Sequence, residues 1–128
     1  MPVLILNSFS LNMLPSPGIG LPTSLVVVQI TREEARRLVE KEGYESAIGH
    51  ADTARILGEE LGIELPMNRT TVQLAGGHAI VGQYSGERLP EGVTRLPEGA
   101  TIKWFKVAVT PPPRPEAVAA AFREMRGT

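Results

Sequence analysis

Apolar positions along this chain come in short runs whose spacing switches between that of a strand and that of a helix. Val3–Leu6 is a brief apolar run and reads as a buried strand. A segment dense in small hydrogen-bonding residues follows, Asn7-Ser8-Phe9-Ser10-Leu11-Asn12-Met13, with Pro15, Pro17, Gly18 and Gly20 behind it. Residues 24–30, built around Leu25-Val26-Val27-Val28, give the clearest strand. It runs into Thr31-Arg32-Glu33-Glu34, a capping box in which Thr31 caps the next helix and Glu34 reaches back. That helix spans residues 32–41, with Ala35, Leu38 and Val39 on one side and Gly43 as its stop.

The second half repeats the alternation. Residues 44–48 predict a strand, and a helix covers about Asp52 to Leu61, with Asp52 or Thr53 as its cap. Its apolar positions are Ala54, Ile56, Leu57 and Leu61, and Gly62 ends it. Residues 70–74 and 78–85 read as a hairpin turned by Ala75-Gly76-Gly77. A loop rich in Pro and Gly spans residues 86–100, with Leu-Pro-Glu-Gly occurring twice as repeated turn chemistry. Residues 101–109 alternate as a final strand. Thr110-Pro111-Pro112-Pro113-Arg114-Pro115 is a stiff linker. It leads to a helix over residues 116–125 with Val118, Ala121, Phe122 and Met125 at helical spacing. The expected class is α/β, a mixed sheet of about five strands with flanking helices. Residues 1–109 form the domain and residues 110–128 an extension.

Composition narrows the chemistry. The hydrophobic fraction of 42% is that of a folded domain and argues against disorder over the whole length. There is no cysteine, which removes disulfides, thiolate metal sites and thiol nucleophiles. Net charge is −1, lacking the basic excess that binding to long nucleic acid requires. Arginine dominates the cations, and a few well-placed arginines suffice for a compact anionic ligand. The N-terminal apolar run is too short to span a bilayer and has no basic flank, so the expected location is the cytoplasm, the host's if the protein is viral.

His50 is the leading candidate for chemistry. It lies in Ser46-Ala47-Ile48-Gly49-His50-Ala51-Asp52-Thr53, where an extended segment gives way to a helix. Helix N-termini favour phosphate through free N–H groups and the macrodipole. Imidazole titrates near neutrality, which suits a general acid on the departing 5′-oxygen of a phosphodiester. Taken alone, His50 reads first as a packed or exposed turn histidine, and the functional reading gains from its flanks. Arg88 and Glu91 stand three residues apart in the proline-rich loop. They read as a surface ion pair or as a phosphate clamp with a supporting carboxylate. Arg69 precedes a predicted strand and suits a second phosphate. Asn7, Ser8, Ser10 and Asn12 suit ribose or an adenine edge, or serve as local caps. His78 is read as structural. The two histidines lie far apart outside any zinc-binding spacing, so no metal and no cofactor are expected.

As a set, Asn7-Ser8-Phe9-Ser10-Leu11-Asn12-Met13, Ser46-Ala47-Ile48-Gly49-His50, Asn68-Arg69 and Arg88-Leu89-Pro90-Glu91-Gly92 resemble one family in order and spacing. It is that of the viral ring nucleases that act as anti-CRISPR proteins against type III systems, with their cellular relatives. The resemblance spans about residues 2–109 and implies an intertwined homodimer that holds cyclic tetra-adenylate at the subunit interface. It also implies metal-independent cleavage, in which a ribose 2′-hydroxyl attacks the adjacent phosphorus and a 2′,3′-cyclic phosphate forms. On that pattern His50 is the general acid, Arg88 and Glu91 complete the reacting centre, and Asn7, Ser10, Asn12, Arg69 and Gln83 line the pocket. Gly86-Glu87 enlarges the loop before Arg88, which loosens the match at Gln83, and the C-terminal extension is an addition. The other readings are a module that binds a cyclic oligonucleotide without cutting it, and a structural or protein-interaction domain.

Overall fold

The computed structural model describes residues 2–15, 19–20, 23–74, 78–89, 92 and 95–109. The elements run β1 (Val3–Leu6), a short 3-10 turn (Leu11–Met13), β2 (Leu25–Ile30), α1 (Arg32–Glu42), β3 (Tyr44–Ser46), α2 (Ala51–Leu61), β4 (His78–Ser85) and β5 (Thr101–Val109). They build a five-stranded mixed sheet in the order β2-β5-β4-β1-β3. β1 is parallel to both β3 and β4, while β5 is antiparallel to β4 and β2. The mixed α/β class is therefore the observed one. Among the described residues no helix is long and apolar enough to cross a membrane. The linker, the C-terminal helix and the Ala75-Gly76-Gly77 turn lie outside the described residues.

Local chemistry accounts for the helices. Thr31 Oγ1 accepts from the Glu34 N–H at 3.1 Å and Glu34 Oε1 accepts from the Thr31 N–H at 3.3 Å, so the capping box forms in both directions. α1 ends as Gly43 donates to the Val39 carbonyl. α2 ends at Gly62, whose φ of 73° is the left-handed region that glycine enters without strain.

Each sheet face carries its own core. The helix-bearing face buries Val3, Ile5, Ile80 and Trp104 against Ala35 and Val39 of α1 and Ala54, Leu57 and Leu61 of α2. A Cβ on Gly82 would stand 2.6 Å from the Trp104 ring and 2.9 Å from Leu57. The bare backbone there lets the indole lie across β4 beneath α2. The opposite face buries Leu6, Ala79, Val81 and Val107 under Val72 and Leu74, with Phe9 and Met13 packed alongside.

That second layer corrects one expectation. Residues 70–74 do not form a strand and make no hairpin with β4. β4 is already paired on both sides, by β1 and by β5, so its ladder has no free edge. The alternation of Val72 and Leu74 instead covers the sheet, held by the Leu74 N–H on the Met13 carbonyl at 2.7 Å. β3 also stops at Ser46 rather than continuing to Ile48.

Candidate functional site

Parallel pairing decides where the polar residues gather. β1, β3 and β4 point the same way, so the segments leaving them emerge at one end of the sheet. Asn7 follows β1, His50 follows β3, and Gln83 and Arg88 close β4 and enter its loop. Ligands of open α/β sheets bind at such carboxyl ends, beside a strand whose neighbours connect in opposite directions. β1 is that strand here, with β3 on one side and β4 on the other.

The segment carrying His50 is braced from both sides. Ala47 N–H donates to the Ile5 carbonyl at 3.0 Å, which extends the β1 contact past β3. On the outer side, Asn68 donates from Nδ2 to the Ser46 carbonyl at 2.7 Å and from its backbone N–H to the Ile48 carbonyl at 2.8 Å. Ile48 is fully buried and anchors the segment in the core. Arg69 then lies over Gly49. Its guanidinium donates to the Gly49 carbonyl at 3.1 Å, and a Cβ on Gly49 would meet the arginine stem at 3.4 Å.

α2 starts one step earlier than expected. His50 itself is the N-cap, with φ −135° and ψ 124°, and its side chain makes no capping bond. Neither Asp52 nor Thr53 caps the helix; both sit within its first turn. The imidazole is exposed beside a helix N-terminus that its own side chain does not cap. This is the arrangement in which backbone N–H groups and the helix dipole attract an anion.

Asp52 has a different task. Its carboxylate accepts from the Gly92 N–H at 3.3 Å and lies 3.6 Å from Arg55 one turn along. It therefore pins the loop after β4 to the first turn of α2. That loop is also held at its start, where the Tyr84 hydroxyl donates to the Glu87 carbonyl at 2.6 Å. Arg88 is exposed within it. Glu91, adjacent to Gly92 in the chain, lies outside the described residues.

The remaining predicted residues divide. Asn7 is half-buried just past β1. Ser10 Oγ caps the 3-10 turn by accepting from the Asn12 N–H at 3.3 Å, and the Asn12 carbonyl accepts from Gln73. Local structure thus employs the Ser10 hydroxyl and the Asn12 backbone. Gln83 is exposed and level with Lys103 on the face away from the helices. His78 is exposed at the opposite end of β4. Asn68 and Asp52 are the positioning residues that sequence reasoning passed over. Asn68 was legible only as the neighbour of Arg69, and Asp52 only as a cap.

The ionisations that depart from their ordinary ranges among the described residues lie elsewhere. Arg32 is held further towards its charged form by its hydrogen bond to Glu60, at the far end of α2 from His50. Glu33 is lowered by a hydrogen bond from its own backbone N–H at the start of α1. An open groove of 720 Å³, lined by Tyr44, Arg55, Glu59 and Met67 among others, runs along the outer side of α2. It reaches Ala51 and stops short of His50.

Comparison with known proteins matches residues 3–103 to the STIV B116-like family. The chain belongs to that family. It is 36% identical over 88 residues to Uncharacterized protein 26 of Sulfolobus islandicus filamentous virus, covering 69% of this chain and 71% of the relative. It is 32% identical over 68 residues to Uncharacterized protein ORF117 of Acidianus two-tailed virus, covering 52% of this chain and 58% of the relative. The solved structure of B116 of Sulfolobus turreted icosahedral virus superposes with a TM-score of 0.67 at 27% identity, across 84% of this chain and 99% of B116. These relatives are proteins of archaeal viruses, and this chain fits a viral protein. The family's matched span takes in His50, Arg69, Gln83, Arg88 and Glu91 and ends before the proline linker.

Proposed function

We propose that this B116-like protein is a metal-independent ring nuclease that opens cyclic tetra-adenylate and so antagonises or resets type III CRISPR signalling. The observation that carries the reading is the exposed His50 side chain, which makes no capping bond at the start of α2, beside an arginine seated on the preceding residue. An imidazole, a guanidinium and free helix N–H groups at one strand end form a phosphate site with its own proton donor.

The chemistry balances without a protein nucleophile. A ribose 2′-hydroxyl attacks the neighbouring phosphorus and gives up its proton to water or to the Glu91 carboxylate. The bond to the 5′-oxygen breaks, that oxygen takes a proton from His50, and a 2′,3′-cyclic phosphate remains. Arg88 and Arg69 offset the charge growing on the phosphoryl oxygens, and Glu91 supports His50 or the attacking hydroxyl. Two such cleavages give linear di-adenylate. Asn7, Ser10, Asn12 and Gln83 are assigned to ribose and base contacts.

His50, Arg69 and Arg88 are exposed in the single chain, so enclosing a nucleotide ring around them takes further walls. A two-fold homodimer supplies those walls and offers two copies of His50 to a ring that can share its symmetry. The test is chromatography of cyclic tetra-adenylate incubated with the protein and a chelator. Di-adenylate with cyclic phosphate ends is expected, with turnover collapsing and binding persisting in His50→Ala. The second reading, capture without cleavage, draws on the same exposed arginines, which bind phosphate whether or not a proton is delivered. Tight binding with intact ring after prolonged incubation would establish it in place of the nuclease.

A further inference from the structure

The basic residues of α1 fall on two stripes that are finished differently. Towards α2, Arg32 pairs with Glu60 at 3.1 Å and Arg36 donates from Nε to the Glu60 carbonyl at 2.9 Å. Towards β5, Glu34, Arg37, Leu38 and Lys41 recur at helical spacing and line a groove of 260 Å³, closed by Lys106 of β5 and Ile30 of β2. The alternation of β5 that turns Trp104 towards the helices turns Lys106 the same way. Lys106 stands level with Val28 on one side and Ile80 on the other, both apolar.

Three cations therefore converge on one concavity. Among the described residues, Arg37, Lys41 and Lys106 have neither a hydrogen bond nor an ion pair from their side chains. Glu34 is the carboxylate in the lining, and its Oε1 already accepts from the Thr31 N–H and hydroxyl in the capping box. A lone lysine at a surface needs no partner, because its stem packs while its ammonium stays in water. Lys106 is half-buried, and it shares its groove with two more cations. Like charges gathered in a concave wall repel one another, and their summed potential draws in an anion.

The charge and the shape name the anion. Three cations and one carboxylate leave the lining with two positive charges. A phosphate monoester carries close to two negative charges at neutral pH, whereas a carboxylate or a phosphodiester carries one. A guanidinium takes two phosphoryl oxygens at once, and lysines serve as point charges beside it. Ile30 and Leu38 are half-buried and offer an apolar wall to whatever bears the phosphate. The volume is below the roughly 300–1,000 Å³ of sites that enclose drug-sized ligands, which limits that body to a sugar or a nucleoside.

We infer that the groove between α1 and β5 binds a phosphate monoester of mononucleotide size or smaller. None of the residues assigned to cyclic tetra-adenylate lines it, so the inference stands apart from the reading of His50.

Titration of the full-length chain with AMP, followed by backbone NMR, reads the site directly. AMP and ribose 5-phosphate are expected to shift the amides of residues 34–41 and 104–108, adenosine to leave them in place, and the shifts to persist in His50→Ala. Equal affinity for the two phosphates supports a site that reads the phosphate and sugar, and tighter AMP supports one that also seats the base. Lys106→Gln and the more exposed Lys41→Gln are each expected to weaken AMP about ten-fold, the worth of one charge-assisted contact. Lys103→Gln, on the opposite face of β5, should leave the affinity unchanged. No shift at about 10 mM AMP, where a site with a Kd of about 1 mM is about nine-tenths filled, overturns the inference. So do shifts confined to the His50 end, shifts that adenosine reproduces, or wild-type affinity in both Lys106→Gln and Lys41→Gln.

Discussion

The β3 edge and the β2 edge of this sheet belong to the same five strands and are opposite in kind. Four strand spacings separate them, about 19 Å at about 4.8 Å each. At the β3 edge the chain is short, charged and tied down by side-chain bonds, and the segment that leaves it delivers His50. At the β2 edge it is long, apolar and half-exposed, and none of the candidate site residues lies on it. The difference separates two uses of a sheet end. The proposed site would need a segment whose geometry is over-determined, and Asn68, Ile48 and Arg69 hold the one before His50 in that way. An edge outside that site needs only to be kept from pairing.

The strongest test of that contrast is at His50 itself. His50→Ala should lower turnover of cyclic tetra-adenylate by roughly 10²–10⁴-fold, the usual worth of a general acid, with thermal stability unchanged because the side chain is exposed. Next comes the strand joining the two halves. Gly82→Ala drives a methyl into Trp104 and Leu57, and a loss of about 1–3 kcal/mol is expected in denaturant unfolding. Asn68→Ala removes the brace outside β3. Exposing the Ser46 carbonyl should cost about 1 kcal/mol and slow turnover, whereas a purely structural Asn68 would leave turnover unchanged at temperatures where the variant is folded. The smallest effect belongs to the other edge. Val27→Lys, at a half-exposed position on the face away from the helices, should shift unfolding by no more than about 0.5 kcal/mol and leave turnover alone. A large loss of turnover in Val27→Lys would mean that the β2 edge contributes to the site after all.

Legibility in the sequence follows the range of the interaction. Val3–Leu6 and residues 101–109 were readable as strands because burial against the core imprints on the run itself. The Thr31–Glu34 capping box was readable because both of its bonds close within three residues. Residues 70–74 were misread because alternation records only that every second residue is covered. Whether the cover comes from strand pairing or from lying across a sheet depends on which ladders are already full. His50 was recognisable as standing at a helix start, while its role as the cap depended on Asn68 and Arg69 fixing the backbone just before it. The link from Asp52 to Gly92 spans forty positions and leaves no local trace.

By itself, then, the amino-acid order determined the helices, their stops and the main strands, because capping bonds, left-handed glycines and apolar spacing all act within a few residues. It also set the candidate chemistry, since histidine, arginine and carboxylate side chains carry their reactivity wherever they are placed. Only the tertiary structure decided the strand order, and with it that the segments after β1, β3 and β4 meet at one end while β2 ends the row of described strands with its valines half-exposed. Those outcomes rest on contacts between residues far apart in the chain. Their free energy depends on which partners the folded sheet leaves vacant, not on the pattern of any one segment.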